Sequence, residues 1–157
     1  MNTLITFATR FGCTEKCAKK LEEKLSNDME IINLKNNTKI SLDKYDTVII
    51  GGSIMMGKIN SEVKKFYNNN LAQLLQKKIG LFICGALSEQ VDKELRDNFP
   101  EELINHAVAT GYFGYELNFE KMNFALRVLA KKMSDTEKSF SKIIEDNITK
   151  FAEVMKR

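Results

Sequence analysis

The chain has 157 residues, 43% of them hydrophobic, with 24 Lys plus Arg against 21 Asp plus Glu for a formal charge of +3. That size suits one domain with a proper core, no apolar run is long enough to span a bilayer, and scattered acids leave no basic stripe for nucleic acid. No charged-then-apolar leader precedes the first apolar run, so a cytoplasmic protein is expected, with its three cysteines reduced.

Apolar runs predict strands over Thr3–Ala8, Met29–Asn33, Thr47–Gly52, Ile79–Gly85 and Ala107–Gly114. Helical periodicity fills the intervals at Thr14–Leu25, Ser61–Leu75 and Val91–Asn98. After the fifth strand, Phe119, Met122, Leu126, Leu129 and Met133 form one helical stripe, which predicts an inserted helix over 119–133. Ser134-Asp135-Thr136-Glu137 fits a capping box opening a last helix, with Phe140, Ile144, Ile148, Phe151 and Met155 on one face. Alternating strands and helices imply an α/β fold of three layers, a five-stranded parallel sheet with helices on both faces, and five strands in this sequence fit the order 2-1-3-4-5. With one proline, Pro100, and neither repeat nor linker, residues 1–157 are expected to form one domain.

Thr9-Arg10-Phe11-Gly12-Cys13-Thr14 lies between the first strand and the first helix. Unpaired N–H groups at a helix N-terminus attract an anion, Gly12 permits close approach of the main chain, and the hydroxyls of Thr9 and Thr14 can add hydrogen bonds. The plainer reading is a strand-to-helix turn capped by a threonine. The spacing excludes a Walker loop, which needs Gly-Lys-Ser/Thr, and a dinucleotide fingerprint, which needs three glycines where Gly12 stands alone. Cys13 and Cys17 lie four apart, but with His106 the only histidine and no second cysteine pair, no metal site is expected.

Thr-x-x-Gly-x-Thr resembles the phosphate loop of the flavodoxin family, which holds the terminal phosphate of FMN. Gly52-Ser53-Ile54-Met55-Met56-Gly57, with Ser61 and Phe66 behind it, resembles the second flavin loop of one branch, the menaquinone-dependent protoporphyrinogen dehydrogenases. The resemblance covers nearly the whole chain, including the basic insertion after the fifth strand. It implies a flavodoxin-like fold and an FMN site in which Thr9, Arg10, Phe11, Gly12, Cys13 and Thr14 hold the phosphate. Ser53, Ile54, Met55, Met56 and Gly57 would wall the ring, and Gly85, Ala86, Leu87 and Ser88 would supply the second wall and edge contacts. Met56 stands where that branch often has tyrosine, and Met55 where it often has arginine.

Other occupants of this architecture need residues that are missing here. A phosphoacceptor domain needs acids after the first strand and an aspartate ending the third, where Thr9-Arg10 and Gly51-Gly52-Ser53 stand. An esterase elbow needs a second glycine that Gly51-Gly52-Ser53-Ile54-Met55 lacks. Arg10 reads either as a cation that tunes the flavin or as a solvated surface charge. His106 reads as structural, and no side chain stands out as a general acid or base.

The insertion sets Lys121, Arg127, Lys131 and Lys132, with Phe124 and Val128 among them, apart from its apolar stripe. It reads as a helix packed on the domain or, more sharply, as a peripheral membrane or partner contact. The expected function is an FMN-binding oxidoreductase, resembling the protoporphyrinogen dehydrogenases, that passes electrons from a reduced substrate to a quinone or redox partner. A small flavodoxin-type electron carrier and a flavin-free interaction module on the same scaffold are the alternatives.

Overall fold

Strand Thr3–Phe7 (β1) is buried at all five positions, as a strand covered by helices on both faces must be. In the computed structural model, which describes residues 2–25, 28–37, 39–85, 88–134 and 138–157, it is followed by α1 (Cys13–Leu25), β2 (Met29–Asn33) and β3 (Thr47–Met55). Then come β4 (Lys58–Ile59), α2 (Ser61–Leu74), β5 (Lys78–Cys84), α3 (Val91–Asn98) and α4 (Glu101–His106). The chain ends with β6 (Ala109–Tyr112), β7 (Gly114–Leu117), α5 (Phe124–Ser134), β8 (Phe140–Ile143) and α6 (Glu145–Lys156).

The main sheet runs β2-β1-β3-β5-β6, all parallel, which is the expected 2-1-3-4-5 order of the five long strands. Alternation along each strand sends neighbours to opposite faces. Leu4, Val48, Ile50, Leu81 and Ile83 pack with Val63, Phe66, Leu74, Leu95 and Leu103 of α2, α3 and α4. Ile5, Ile49 and Phe82 pack on the other side with Leu21 of α1 and Ile148, Phe151 and Met155 of α6. Phe82 stacks on Phe113 with ring centres 4.6 Å apart, and Phe151 meets Phe113 edge-on at 5.3 Å.

Three elements depart from expectation. The expected strand over 107–114 divides at Phe113, because Gly114 takes a φ of +91° and turns the chain out of the sheet. Its continuation, β7, pairs antiparallel with β8 from Gly114 opposite Ile143 to Leu117 opposite Phe140. Phe140 therefore belongs to a strand, packed edge-on against Tyr115 at 5.5 Å, and not to the last helix. That helix starts at Glu145, where Glu145 and Asp146 place negative charge at its positive end. Asp135, Thr136 and Glu137 of the expected capping box lie outside the described residues.

The insertion is shorter than its stripe suggested. Phe119–Lys121 make a 3-10 turn with Phe119 buried, and α5 starts only after Asn123, whose Oδ1 accepts the Leu126 N–H at 2.9 Å. Among the described residues no helix is long and apolar enough to cross a membrane.

The aromatic stack joins α6 to the sheet: Phe113 meets both Phe82 of β5 and Phe151 of α6, and those two rings also meet edge-on at 6.4 Å. Phe113→Ala is expected to destabilise the fold by about 3–5 kcal/mol, checked by urea unfolding. A loss below about 1 kcal/mol would show that the neighbouring rings collapse into the space.

Candidate functional site

The carboxyl ends of β1, β3 and β5 open on one cleft of about 290 Å³. It lies at the point where the chain leaves the central strand in opposite directions, the place where this topology parts its loops. Thr9, Arg10, Phe11 and Cys13 line it from the first loop, Ser53, Ile54, Met55, Met56 and Gly57 from the second, and Gly85 from the third. Ser88 does not reach it; it is exposed at the start of a 3-10 turn. Ala86 and Leu87 lie outside the described residues.

In the first loop the Gly12 N–H donates to Thr9 Oγ1 at 2.9 Å, closing the turn. Gly12 has a φ of +96°, and a Cβ added to it would come within 2.9 Å of Lys121 Nζ. The insertion thus delivers an ammonium to the phosphate loop, a role that its place among the basic residues of a helix face did not reveal. Beside it, Thr14 is fully buried in the first turn of α1, and its hydroxyl has no partner. A buried hydroxyl without a partner costs about 1–3 kcal/mol, which a ligand oxygen would offset. The N-terminus of α1, the unpartnered Thr14 hydroxyl and the Lys121 charge are the features of this loop that would favour an anion.

Arg10 lines the cleft half-buried, so it is not a solvated surface charge. Its Nη1 donates to Ser53 O at 2.5 Å and to Ser53 Oγ at 3.1 Å, and its Nη2 to Lys58 O at 3.3 Å. It binds the first loop to the β3–β4 hairpin, and partial burial lowers its pKa from the usual arginine value. The hairpin turns through Met56 and Gly57, both at positive φ (51° and 75°), as a two-residue loop requires. Two buried asparagines brace it from behind. Asn60 Oδ1 accepts the Ser53 N–H at 2.8 Å, while Asn98 accepts the Ile59 N–H at 2.8 Å and donates to Gly57 O at 3.0 Å. Met56 stands 77% exposed at the tip, so it is not core filler.

On the third side Gly85 O accepts the Tyr112 hydroxyl at 2.5 Å, and burial raises the pKa of that phenol. Glu94 also faces the cleft, buried, and desolvation raises its carboxyl above the ordinary range. It is a buried carboxyl at the cleft that its position in the sequence, in the middle of a charged helix, did not single out. Met122, Leu126, Leu129 and Ala130 of the insertion, with Tyr115 and Leu117 of β7, roof the cleft. Arg127, though exposed, fastens this roof by donating from Nε to Phe119 O at 2.6 Å and to Met122 O at 3.0 Å. At the inner wall Cys13 and Cys84 meet Cys17. Hydrogen bonds from the other two thiols lower the pKa of Cys13, and burial helps to raise that of Cys84.

A family model described as a flavodoxin domain matches residues 4–143. The chain belongs to the flavodoxin family. Among solved structures it is similar to the two-electron reduced flavodoxin of Megasphaera elsdenii, with a TM-score of 0.62 and 16% identity over 98% of this chain and 97% of that one. Flavodoxin 1 of Bacillus cereus, oxidised, gives a TM-score of 0.60 and 14% identity over 99% and 97% of the two chains. A rubredoxin:oxygen oxidoreductase of Desulfovibrio gigas gives 0.58 and 15%, with 98% of this chain covering 36% of that one. The chain therefore spans little more than a third of that oxidoreductase. At these identities the likeness concerns the fold. No curated protein sequence matches the chain significantly.

FMN is the cofactor of a flavodoxin site, and the residues here fit it. The orphaned Thr14 hydroxyl and the glycine cradle suit a terminal phosphate, and the apolar walls of the cleft suit a flat ring.

Two substitutions separate phosphate binding from general packing. Lys121→Gln is expected to weaken FMN by about 1.5–3 kcal/mol, roughly ten- to a hundredfold, while riboflavin, which has no phosphate, binds unchanged. Gly12→Val should cost FMN at least about 2 kcal/mol, roughly thirtyfold. Fluorescence titration of the apoprotein checks both. Equal loss of riboflavin in the Lys121 variant would mean that the lysine only holds the roof in place.

Proposed function

We propose that this flavodoxin is an FMN-dependent oxidoreductase of the kind resembling the protoporphyrinogen dehydrogenases, taking electrons from a reduced substrate and passing them to a quinone or redox partner. The observation that carries this reading is the roof. A dedicated carrier presents its flavin edge to a docking protein, whereas here the insertion lies over the cleft with Met122 and with Leu126 and Leu129 of α5, and reaches the first loop through Lys121. A covered apolar cleft suits a substrate bound and oxidised one molecule at a time.

When bound, FMN supplies the electron chemistry of the site. The chain positions it and manages the proton. Lys121, Thr14 and the N–H groups of α1 hold the phosphate; Arg10, Asn60 and Asn98 keep the Ile54–Gly57 wall rigid. Glu94, whose carboxyl burial keeps protonated to higher pH than an exposed carboxylate, stands at the cleft wall as the group to give or take a proton, and the roof narrows the opening to solvent.

The outer surface of the roof supports a membrane-held acceptor. Phe124 is 83% exposed and Val128 38%, on the helix that also carries Lys132. Exposed apolar side chains beside a cation suit the surface of an anionic bilayer, where each basic residue contributes about 1 kcal/mol.

The purified protein is expected to show flavin absorption and release FMN on denaturation. Vesicles containing acidic lipid should bind it, less so in high salt. Replacing Phe124 and Val128 with serine should then lower reduction of a vesicle-held quinone several-fold while leaving FMN affinity unchanged. The carrier reading gives the opposite result: no vesicle binding, and rapid exchange with a soluble reductase that ignores these substitutions. A colourless protein that also fails to bind added FMN would favour a flavin-free interaction module.

A further inference from the structure

Cys13 and Cys17 stand one turn apart on the buried face of α1, and Cys84 ends β5 beneath them. These are all the cysteines of the chain. Their three sulfurs lie within 4.8 Å of one another, with Cys84 Sγ 3.7 Å from Cys17 Sγ. Among the described residues no other group of three His, Cys, Asp or Glu side chains converges this way. Buried cysteines often serve only as small apolar residues. That role asks for no convergence of sulfurs drawn from two elements 67 residues apart.

The separations are those of a chelate. Zinc–thiolate bonds of about 2.3 Å at tetrahedral angles put the sulfurs about 3.8 Å apart. The Cys17–Cys84 pair already meets that distance, and the third sulfur is within about 1 Å of it. Cys13 is the first residue of its helix, where free N–H groups and the helix dipole favour a thiolate. Cys13 and Cys84 also line the cleft, so a fourth coordination position opens onto it, in the manner of zinc sites with three protein ligands and one exchangeable one.

We infer that Cys13, Cys17 and Cys84 form a three-thiolate site for a thiophilic filled-shell cation, zinc(II), with its fourth position on the cleft. Three thiols each lose a proton as three sulfur–metal bonds form, leaving one net negative charge. No electrons are transferred. The site lies on the inner wall of the FMN cleft but does not depend on the redox reading.

Cobalt(II) is the spectroscopic stand-in. The full-length protein, freed of metal and kept under reductant, is titrated with cobalt(II) alone and then with zinc(II). The expected result is one equivalent of cobalt showing thiolate charge-transfer absorption and the intense visible bands of a tetrahedral ion, bleached by zinc. Zinc should also protect all three thiols from alkylation. Cys84→Ala and Cys17→Ser should each lower zinc affinity at least a hundredfold, and Cys17→Ser, at a position that does not line the cleft, should leave FMN binding in place. Absence of the charge-transfer band in folded, reduced protein overturns the site, as does a band that survives intact in Cys84→Ala. If either variant fails to fold, thiol protection in the unsubstituted protein decides, and protection of fewer than three thiols overturns it.

Discussion

Parallel pairing of β1 with β3, with Phe7 opposite Gly51, is the constraint on which the cleft depends. It starts the two cofactor loops side by side at the same sheet edge, one turning into α1 and the other continuing as the β3–β4 hairpin. Adjacent loops with no ladder between them would splay, since backbone order costs about 1–2 kcal/mol per residue. Arg10 prevents this with three hydrogen bonds across the gap, all on one planar guanidinium. The two asparagines extend the same logic backward into the helical layer. The hairpin is thus held from the front by the first loop and from behind by α2 and α3.

What could be read from residues alone was whatever local chemistry and period decide. Thr9–Thr14 could be recognised because strand, glycine and hydroxyls lie within six adjacent positions and carry their own physical meaning. Alternation of strands and helices implied the parallel sheet, and its order was matched to the known flavodoxin-like topology. Lys121, Asn98 and Cys84 were hidden for a common reason. Each acts across a long separation in the chain, and nothing near it in sequence marks it. A lysine among other lysines looks solvated, and an asparagine near a helix end looks like a boundary signal. Helical period also misled where apolar residues were buried by other means. Phe119 and Phe140 fitted a 3.6-residue stripe, but Phe119 is buried in a 3-10 turn and Phe140, half-buried, is held by the pairing of β7 with β8.

The cleft combines opposite electrostatic demands within a short distance. At one end a cation, a helix N-terminus and an unpartnered hydroxyl await negative charge. At the other, burial disfavours charge on Glu94 and on the Tyr112 phenol. Such a gradient orients a molecule carrying a charged tail and an uncharged ring, and it does so before any specific contact to the ring is made.

The insertion leaves and rejoins the domain through β7 and β8, which lie side by side with Leu117 opposite Phe140. Everything between those two residues is an excursion whose ends are already fastened together. The chain entropy of closing it depends only weakly on how many residues it holds. Its length and composition can therefore drift between relatives while β6, α6 and the sheet beneath stay as they are. The roof behaves as an exchangeable fitting on a fixed frame, a place where one ancestral cofactor scaffold could acquire or shed a dedicated substrate chamber without being refolded.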